Sequence, residues 1–320
     1  VYATVRQPDG KVLIGGGFTT YNGVPRRYVA RVNVDGSLDT SFDPGAGANS
    51  WVTSLALQPD GKVLVAGDFT NFDGVLRKRV ARLNADGSLD LSFEPRRAAN
   101  NLVNTVVLQP DGKIVIGGSF TTYDLAARRR IARLNPDGSV DSSFDPGVGP
   151  NYLVYSLAVQ PDGKLVVGGS FTTFSGASCI RVARLHPSGA LDTSFDARAG
   201  ADYTVLALAL QPDGKVLLGG GFGSVDEVPR NRVARLNADG SLDTGFDPGT
   251  GADNHVRSLL LQSNGRVLIG GSFSKYDDIT RHGLARLESD GNLDSSFAPA
   301  TPVGRRIDSL ALQTDGKLLI

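Results

Sequence analysis

Aromatic residues and arginines recur at two fixed positions of a repeated segment, and both residue types are common where proteins bind glycans or other proteins. The aromatic position holds Tyr21, Phe72, Tyr123, Phe174 and Tyr276, with Val225 in the fifth copy. The arginine position holds Arg26, Arg77, Arg128, Arg230 and Arg281, with Cys179 in the fourth copy. Aromatic rings and guanidinium groups supply much of the binding energy at interfaces. These ten residues are therefore the candidate ligand-binding set, although packing of the aromatic residues that holds their loop on the blade is the favoured interpretation.

A second pattern places an arginine and an aspartate eight residues apart in every copy of the segment. The pairs are Arg31 and Asp39, Arg82 and Asp90, Arg133 and Asp141, Arg184 and Asp192, Arg235 and Asp243, and Arg286 and Asp294. A ligand site usually breaks the symmetry of a repeat protein, whereas this pattern keeps it. We therefore predict structural ion pairs, formed within a repeat or between neighbouring repeats.

The turn over residues 33–39 places side-chain oxygens at alternate positions around a glycine, as calcium loops do. It lacks the bidentate glutamate of such loops, and His186 and Ser188 replace two of the oxygen-bearing residues in the fourth copy. Asn and Asp also favour turns through local hydrogen bonds. We predict a plain turn and no cofactor, with calcium binding as the minor alternative.

The three histidines give no basis for catalysis. His186, His255 and His282 lie at non-equivalent positions of the repeat, and their spacing matches neither a metal-ligand cluster nor a Ser-His-Asp arrangement. The sequence therefore predicts a protein that is not an enzyme.

All these residues belong to a 51-residue repeat that has no insertions or deletions, and the fold of this repeat must position them. One glutamine marks it, at Gln7, Gln58, Gln109, Gln160, Gln211, Gln262 and Gln313. In the second copy, Asp-Gly turns at 60–61 and 86–87 separate four short apolar runs, and Asp-Gly is a strong hairpin signal. The predicted strands of that copy are A at 54–58, B at 62–67, C at 79–84 and D at 89–93, with a loop between B and C. No helix is expected.

Strands A and B are apolar on both faces, so both faces must be covered. A sheet repeated six times meets this requirement when the sheets stack radially, each against two neighbours, as in a β-propeller. The predicted fold is all-β, a β-propeller of four-stranded antiparallel blades. A parallel β-helix is the less favoured alternative, because its coils need no pair of tight hairpins in each repeat.

The length of 320 residues holds six full repeats and a partial one at 307–320, which restarts the repeat. Six blades are favoured, with seven blades or an incomplete ring as alternatives. The whole chain, 1–320, is predicted to be a single propeller domain and a piece of a longer polypeptide.

The repeat reads QPDGK-V-L-x-GG-x-F-T, followed by R-x-ARLN-x-DGS-L-D-x-SF-x-P. It resembles the bacterial delta-60 repeat, a β-propeller family of unknown function, and more distantly the kelch-type blade at glycine doublets such as Gly117-Gly118. The delta-60 resemblance implies a large bacterial surface or secreted protein, and hence an extracellular or cell-envelope location.

Composition excludes several other classes of protein. The 33 basic and 33 acidic residues balance, which argues against nucleic-acid binding, and the longest apolar run, 205–210, is too short to span a membrane. We predict a non-catalytic binding or scaffolding module that presents loops to a protein or glycan partner, with specificity carried by variable stretches such as 96–101 and 301–306. The alternatives are a polysaccharide-acting lyase or hydrolase with a site at the propeller axis, and a structural spacer in an adhesin or fibre.

Overall fold

The computed structural model describes residues 1–197, 200–299, 306–313 and 315–320. Every helix or strand assigned in these ranges is a strand, which confirms the helix-free prediction. The chain divides into two compact units, Val1–Gly149 with Ala311–Leu319, and Pro150–Leu310 with Ile320. Each unit contains three full repeats, and the single-domain organisation stays a prediction.

Each repeat of the first unit contributes five strands, and residues 311–319 add a short hairpin. The strands are β1 (Ala3–Arg6), β2 (Val12–Gly15), β3 (Thr20–Tyr21), β4 (Val24–Pro25), β5 (Val29–Val32), β6 (Val52–Leu57), β7 (Val63–Gly67), β8 (Asn71–Phe72), β9 (Val75–Leu76), β10 (Val80–Leu83), β11 (Val103–Leu108), β12 (Ile114–Gly118), β13 (Thr122–Tyr123), β14 (Ala126–Ala127) and β15 (Ile131–Leu134). This C-terminal hairpin consists of β31 (Ala311–Leu312) and β32 (Leu318–Leu319). Its residues Ala311 and Leu319 pack on Val12, Ile14 and Ala30.

The second unit repeats the same order of elements. Its strands are β16 (Val154–Val159), β17 (Leu165–Gly169), β18 (Thr173–Phe174), β19 (Ala177–Ser178), β20 (Val182–Leu185), β21 (Val205–Leu210), β22 (Val216–Gly220), β23 (Ser224–Val225), β24 (Val228–Pro229), β25 (Val233–Leu236), β26 (Val256–Leu261), β27 (Val267–Gly271), β28 (Lys275–Tyr276), β29 (Ile279–Thr280) and β30 (Leu284–Leu287).

Each repeat forms a three-stranded antiparallel sheet and a separate two-stranded hairpin. In the second repeat β7 lies between β6 and β10, with Val65 opposite both Leu55 and Ala81. Strands β8 and β9 form the hairpin inside the segment that the sequence predicted as a loop. All five residues of β7 are buried, as expected for a strand with apolar residues on both faces.

The predicted strand D, residues 89–93 of the second repeat, does not form, so the prediction of four-stranded blades needs correction. Only one bridge, Leu83 to Leu89, extends the sheet. The Asp90 carboxylate then accepts hydrogen bonds from the Ser92 backbone N–H at 2.9 Å and from its hydroxyl at 2.7 Å. These bonds hold a turn that takes the chain out of the sheet before a fourth strand can form.

The first hairpin turn also differs in detail from the predicted two-residue turn. Gln58 and Lys62 pair across three residues, and only Gly61 of the Asp-Gly pair has a positive φ, of 83°. The Asp60 carboxylate accepts the Lys62 backbone N–H at 3.1 Å. This is a turn followed by a left-handed glycine, a common three-residue hairpin connection.

Neighbouring sheets stack through their apolar faces within each unit. In the first unit Leu64 and Val80 share a buried cluster with Val106 and Ile116 of the next repeat. The first glycine of the doublet permits this close arrangement, because a Cβ on Gly15 would lie 2.6 Å from the Val52 side chain of the next sheet. The stacking provides the two-sided cover that the sequence requires.

Candidate functional site

The predicted aromatic residues of the B–C segment are mostly core residues. Phe72, Tyr123, Phe174 and Tyr276 are fully buried, and Tyr21 is partly exposed. The Tyr123 hydroxyl donates to the Gly138 carbonyl at 3.0 Å, and burial raises the pKa of that phenol well above its usual value. A fully buried ring offers no face to a ligand, so the packing alternative describes these four positions.

The predicted arginines follow the same hairpins and lie back against their own loops. Each donates from a terminal guanidinium nitrogen to the carbonyl of the preceding residue; the distances are 2.9 Å for Arg26, 3.0 Å for Arg77, 2.9 Å for Arg128, 2.8 Å for Arg230 and 2.9 Å for Arg281. Arg230 is buried, whereas the other four are partly exposed. A binding role for those four stays a prediction.

The arginine–aspartate pairs are confirmed in all six repeats, with Nε to Oδ2 distances of 2.6 to 2.8 Å. In the second repeat the Asp90 carboxylate also accepts Lys62 Nζ at 2.8 Å, and the Arg82 guanidinium lies over the Phe93 ring at 5.0 Å. The same guanidinium donates to the Pro136 carbonyl of the next repeat at 2.5 Å. The charged groups of this cluster bind one another and the backbone of the next repeat, so we assign the cluster a structural role.

The lysine of this cluster was missed by sequence reasoning, although a signal for it was present. A basic residue lies 28 residues before each aspartate of the cluster. These residues are Lys11, Lys62, Lys113, Lys164, Lys215 and Arg266. Such a fixed separation, kept in six copies, marks a partner of the same carboxylate.

Acid is expected to destabilise the fold through these carboxyl groups. Burial alone would raise the pKa of Asp90, but hydrogen bonds from Lys62, Ser92 and Arg82 outweigh it and hold that pKa well below its usual value. The carboxyls of Asp39, Asp141 and Asp192 are lowered in the same way. A carboxyl with a lowered pKa in the folded state stabilises the fold above its unfolded pKa and loses that contribution as the pH falls toward the folded pKa.

We therefore expect the urea unfolding midpoint to stay level between about pH 7 and pH 5 and to fall steeply below about pH 4, where the unfolded carboxyls take up protons. Equilibrium urea titrations monitored by circular dichroism at each pH provide the measurement. A midpoint that is unchanged at about pH 2.5 would contradict the expectation.

The strongest departure from repeat symmetry lies where each first strand begins. We call this the strand-start surface, formed by the two residues before the first strand of a sheet together with the second residue of that strand. In the six repeats it carries different residue types, including three exposed aromatic side chains. These are Trp51, Tyr152 and Tyr203, with 54%, 56% and 57% of their surface exposed. The variable stretch at 301–305 that precedes Arg306 lies outside the described residues.

In the first unit, the strand-start surface holds a pair of aromatic rings. Tyr2 and Trp51 meet edge to face, with ring centroids 6.2 Å apart. Gly17 leaves room for them, because a Cβ there would lie 3.3 Å from the Tyr2 hydroxyl and 3.6 Å from the indole. The pair forms a small aromatic surface that is open to solvent at Trp51.

In the second unit, the strand-start surface combines tyrosines with a histidine. Tyr203 and His255 flank Gly221, where a Cβ would lie 2.9 Å from the Tyr203 ring and 2.8 Å from His255 Nε2. Burial raises the pKa of Tyr155, and the phenols of Tyr152 and Tyr203 act in the same direction. Tyr152, Tyr155, Tyr203 and His255 lie at three successive strand starts, and we refer to these four rings as a row.

Arginines continue this row at its other end. Arg257 donates to the Ser272 hydroxyl at 3.2 Å, and its Nε lies 3.9 Å from Asp308, which accepts Arg306 at 2.7 Å. Burial, followed by the charge of Arg257, lowers the pKa of His255, which keeps that ring neutral near pH 7. The surface is therefore aromatic at one end and cationic at the other.

The possible calcium turn uses its oxygens internally. The Asp35 carboxylate accepts the Ser37 backbone N–H at 2.9 Å and its hydroxyl at 2.6 Å, and Asn33 donates to that hydroxyl at 2.9 Å. Across the described ranges, no group of three or more His, Cys, Asp or Glu side chains is placed to hold a metal ion. Among the same residues, no helix is long and apolar enough to cross a membrane.

Comparison with known proteins gives one family and many structures of the same fold. A family described as a domain of unknown function (DUF5122) β-propeller matches the sequence six times, at residues 7–42, 58–93, 109–144, 160–195, 211–246 and 262–297. The six matches begin 51 residues apart, as the repeat does, and their number agrees with six blades. No protein of curated function matches the sequence.

The chain is similar in structure to the WD40 β-propeller domain of Doa1, with a TM-score of 0.67 and 14% identity over 99% of this chain and 88% of that one. The extracellular domain of a putative one-component system, BT4673 of B. thetaiotaomicron, is also similar, with a TM-score of 0.60 and 16% identity. The match covers 98% of this chain and 36% of that one. Virginiamycin B lyase of Staphylococcus aureus matches with a TM-score of 0.57 and 14% identity, over 92% of this chain and 82% of that one. At these identities the likeness shows the all-β propeller fold alone.

Proposed function

The chain belongs to the DUF5122 family of β-propellers, and on that premise we propose that it is a non-catalytic binding module whose strand-start surfaces hold a glycan. One observation carries the proposal. The exposed aromatic side chains Trp51, Tyr152 and Tyr203 are concentrated where the repeat varies, while the structural clusters are the same in every repeat. Variable positions on a rigid scaffold are where binding specificity is usually located.

Aromatic rings suit a glycan because the apolar C–H face of a sugar packs flat on a ring, and each large ring offers about 150–250 Å² of surface to bury. The row of Tyr152, Tyr155, Tyr203 and His255 spans neighbouring repeats of the second unit. Such an extended set of rings suits an oligosaccharide, which is itself an extended ligand. Single exposed apolar residues need no explanation, but the exposed rings of Tyr152 and Tyr203, together with the partly buried rings of Tyr155 and His255, mark a binding surface.

The arrangement of polar groups favours binding over catalysis. Hydrolysis or elimination of a polysaccharide would need carboxyl or imidazole groups that face one another across the bond to be broken. At the strand-start surface of the second unit, Asp308 is paired with Arg306, and the Nδ1 of His255 lies 2.6 Å from Asn254. Among the described residues of this surface, the carboxyl and imidazole groups are thus engaged locally, which favours binding over a lyase or hydrolase role there.

The proposal includes a location at the bacterial surface or outside the cell, within a larger protein. The resemblance to the delta-60 repeat supports this location, and the extracellular domain of BT4673 has the same fold.

The test is a glycan array probed with the purified chain, followed by calorimetry with the best ligand. We expect the double variant Tyr152→Ser/Tyr203→Ser to bind about tenfold more weakly, because each stacked ring contributes roughly 0.5–1.5 kcal/mol. Leu125→Ser is the matched control, since Leu125 is 70% exposed in the turn between β13 and β14, a different segment of the repeat, and the binding of this variant is expected to be unchanged.

The outcomes separate the candidate roles. Unchanged glycan affinity in the double variant would remove the strand-start surface of the second unit from the proposal. Binding to a cell-envelope protein without any glycan would favour a protein partner, and binding to neither would favour a structural spacer.

A further inference from the structure

A cavity in the first unit is lined by basic side chains and by no carboxylate. It has a volume of about 300 Å³ and is formed by residues of the second and third repeats. Its charged residues are Lys78, Arg79 and Arg97, and the other residues that line it are uncharged. A concave surface with charges of one sign attracts ligands of the opposite sign. The composition of this wall therefore favours an anion.

Three hydrogen-bond donors of the cavity are free, and each comes from a different segment of the chain. Among the described residues, the Lys78 ammonium, the Arg97 guanidinium and the Thr122 hydroxyl have no hydrogen-bond or ion-pair partner. Arg79 is engaged, since it donates to the Asp68 carboxylate at 2.7 Å, which holds the arginine in place. Donors from several segments suit a tetrahedral oxyanion, which accepts hydrogen bonds in more directions than a planar carboxylate.

The charge of this cavity is specific to one place in the repeat array. No other repeat has a basic residue at all three positions equivalent to Lys78, Arg79 and Arg97. The position of Arg97 itself holds alanine, valine or threonine in every other repeat. Asn100, which also lines the cavity, is replaced by Asp202 and Asp253 in two later repeats. The fold therefore does not require these cations, which points to a local role.

Arg97 lies between two residues whose backbone conformation favours glycine. Arg96 has a φ of 27° and Ala98 a φ of 50°. Glycine occupies both equivalent positions in the first, third and fifth repeats. A side chain in the left-handed region costs conformational energy, and such strain is concentrated at functional sites. The backbone N–H of Arg97 donates to the Asp124 carboxylate at 3.0 Å, which fixes the start of the free arginine side chain.

We propose that this cavity binds a tetrahedral oxyanion, a sulfate or phosphate group, through Lys78, Arg97 and Thr122. Guanidinium groups bind such anions with two parallel hydrogen bonds, and the lysine adds a point charge. A cavity of about 150 Å³ already admits benzene, so one twice as large holds an oxyanion together with part of the molecule that carries it. The site depends on charge and not on exposed rings, so it holds or fails separately from the glycan proposal.

Calorimetric titration of the purified chain with sodium phosphate and with sodium sulfate, at pH 7 and constant ionic strength, tests the site. We expect one saturable site in the wild type. Arg97→Ala reproduces Ala46 of the first repeat and is expected to weaken phosphate binding about tenfold, because it removes a bidentate charged donor. Lys78→Ile reproduces Ile180 of the fourth repeat and is expected to weaken binding by a similar factor.

A charge reversal tests the electrostatics without a change in the framework. The Asn100 side-chain oxygen accepts two backbone N–H groups at 2.9 and 3.1 Å, and Asp253 at the equivalent position accepts two at 2.8 and 3.1 Å. Asn100→Asp therefore keeps these bonds while it places a negative charge in the cavity, and we expect phosphate to bind about tenfold more weakly.

Asn151→Asp is the matched control, because Asn151 accepts the same two bonds in the fourth repeat, and its phosphate affinity is expected to be unchanged. Leu125 lines the cavity without a polar group, so Leu125→Ser is also expected to bind phosphate as the wild type does. These two variants show whether a loss of binding comes from the cavity or from the net charge of the chain.

The source of the oxyanion follows from a second ligand. Tighter binding of glucose 6-phosphate than of phosphate assigns an oxyanion carried on a sugar, and equal or weaker binding assigns the free anion. Absence of saturable binding of both phosphate and sulfate overturns the proposal. So does an unchanged phosphate affinity in Arg97→Ala and Asn100→Asp, or a loss in Asn151→Asp as large as that in Asn100→Asp.

Discussion

Replacement of Asp90 by alanine is expected to lower the free energy of unfolding by about 3 kcal/mol, because it leaves a buried guanidinium without its carboxylate. Asp90 is 5% exposed and Arg82 is 8% exposed. The carboxylate accepts Arg82 Nε at 2.7 Å, Lys62 Nζ at 2.8 Å and two groups of Ser92. The expected loss lies at the lower end of the range for broken buried pairs, since Lys62 reaches solvent.

Urea unfolding at pH 7 measures this loss, and Asp86→Ala is the matched control. Asp86 is an exposed carboxylate in the neighbouring turn that bonds to Ser88, and its removal is expected to cost less than about 1 kcal/mol. Arg133→Ala tests the same cluster from its basic side and is expected to destabilise the fold without a specific binding defect. Equal losses for Asp90→Ala and Asp86→Ala would contradict a structural role for the buried pair.

Phe72→Ala is expected to cost about 3–5 kcal/mol of unfolding free energy, because it opens a cavity in a tightly packed region. Phe72 is fully buried, meets Phe69 edge to face at 5.9 Å, and forms a backbone bridge with Ala48. The same unfolding titration gives the value, and glycan binding by the folded fraction should not change.

The chain provides its own control for this substitution. The fifth repeat has Val225 at the same position, buried to 1% exposure, so Phe72→Val reproduces a side chain that the fold already accepts. We expect it to cost less than Phe72→Ala. If Phe72→Ala left stability unchanged and abolished ligand binding, the aromatic position would be a binding site and not a packing site.

The repeat made the fold predictable from the sequence, because spacing and two-sided apolar strands are properties of the chain itself. Strand B was predicted at 62–67 and observed at Val63–Gly67. Strand D failed because its end depends on the Asp90 side chain, whose hydrogen bonds to Ser92 compete with the sheet. An apolar–polar pattern contains no information about that competition.

The candidate site was harder to predict than the fold. Recurrence of an aromatic residue in five repeats favours packing but is also compatible with binding, and only the burial of Phe72 or Tyr123 separates the two. Trp51 and Tyr203 gave the better signal, since they lie where equivalent residues differ in type. Their exposure could not be read from the sequence, because it depends on the folded surroundings of each ring, which include Gly17 and Gly221 just beyond strands β2 and β22.

The bond from each cluster to the next repeat has a consequence for how such a gene can change. Arg31 donates to the Ala85 carbonyl, and Arg184 and Arg235 donate to Ala238 and Ser289 in the same manner, always 54 residues further along the chain. Donor and acceptor therefore belong to different copies of the repeat. Duplication, loss or exchange of whole repeats preserves every such bond, whereas a small insertion within a sheet displaces the partners on both sides of it. These bonds therefore constrain the length of each copy of the repeat.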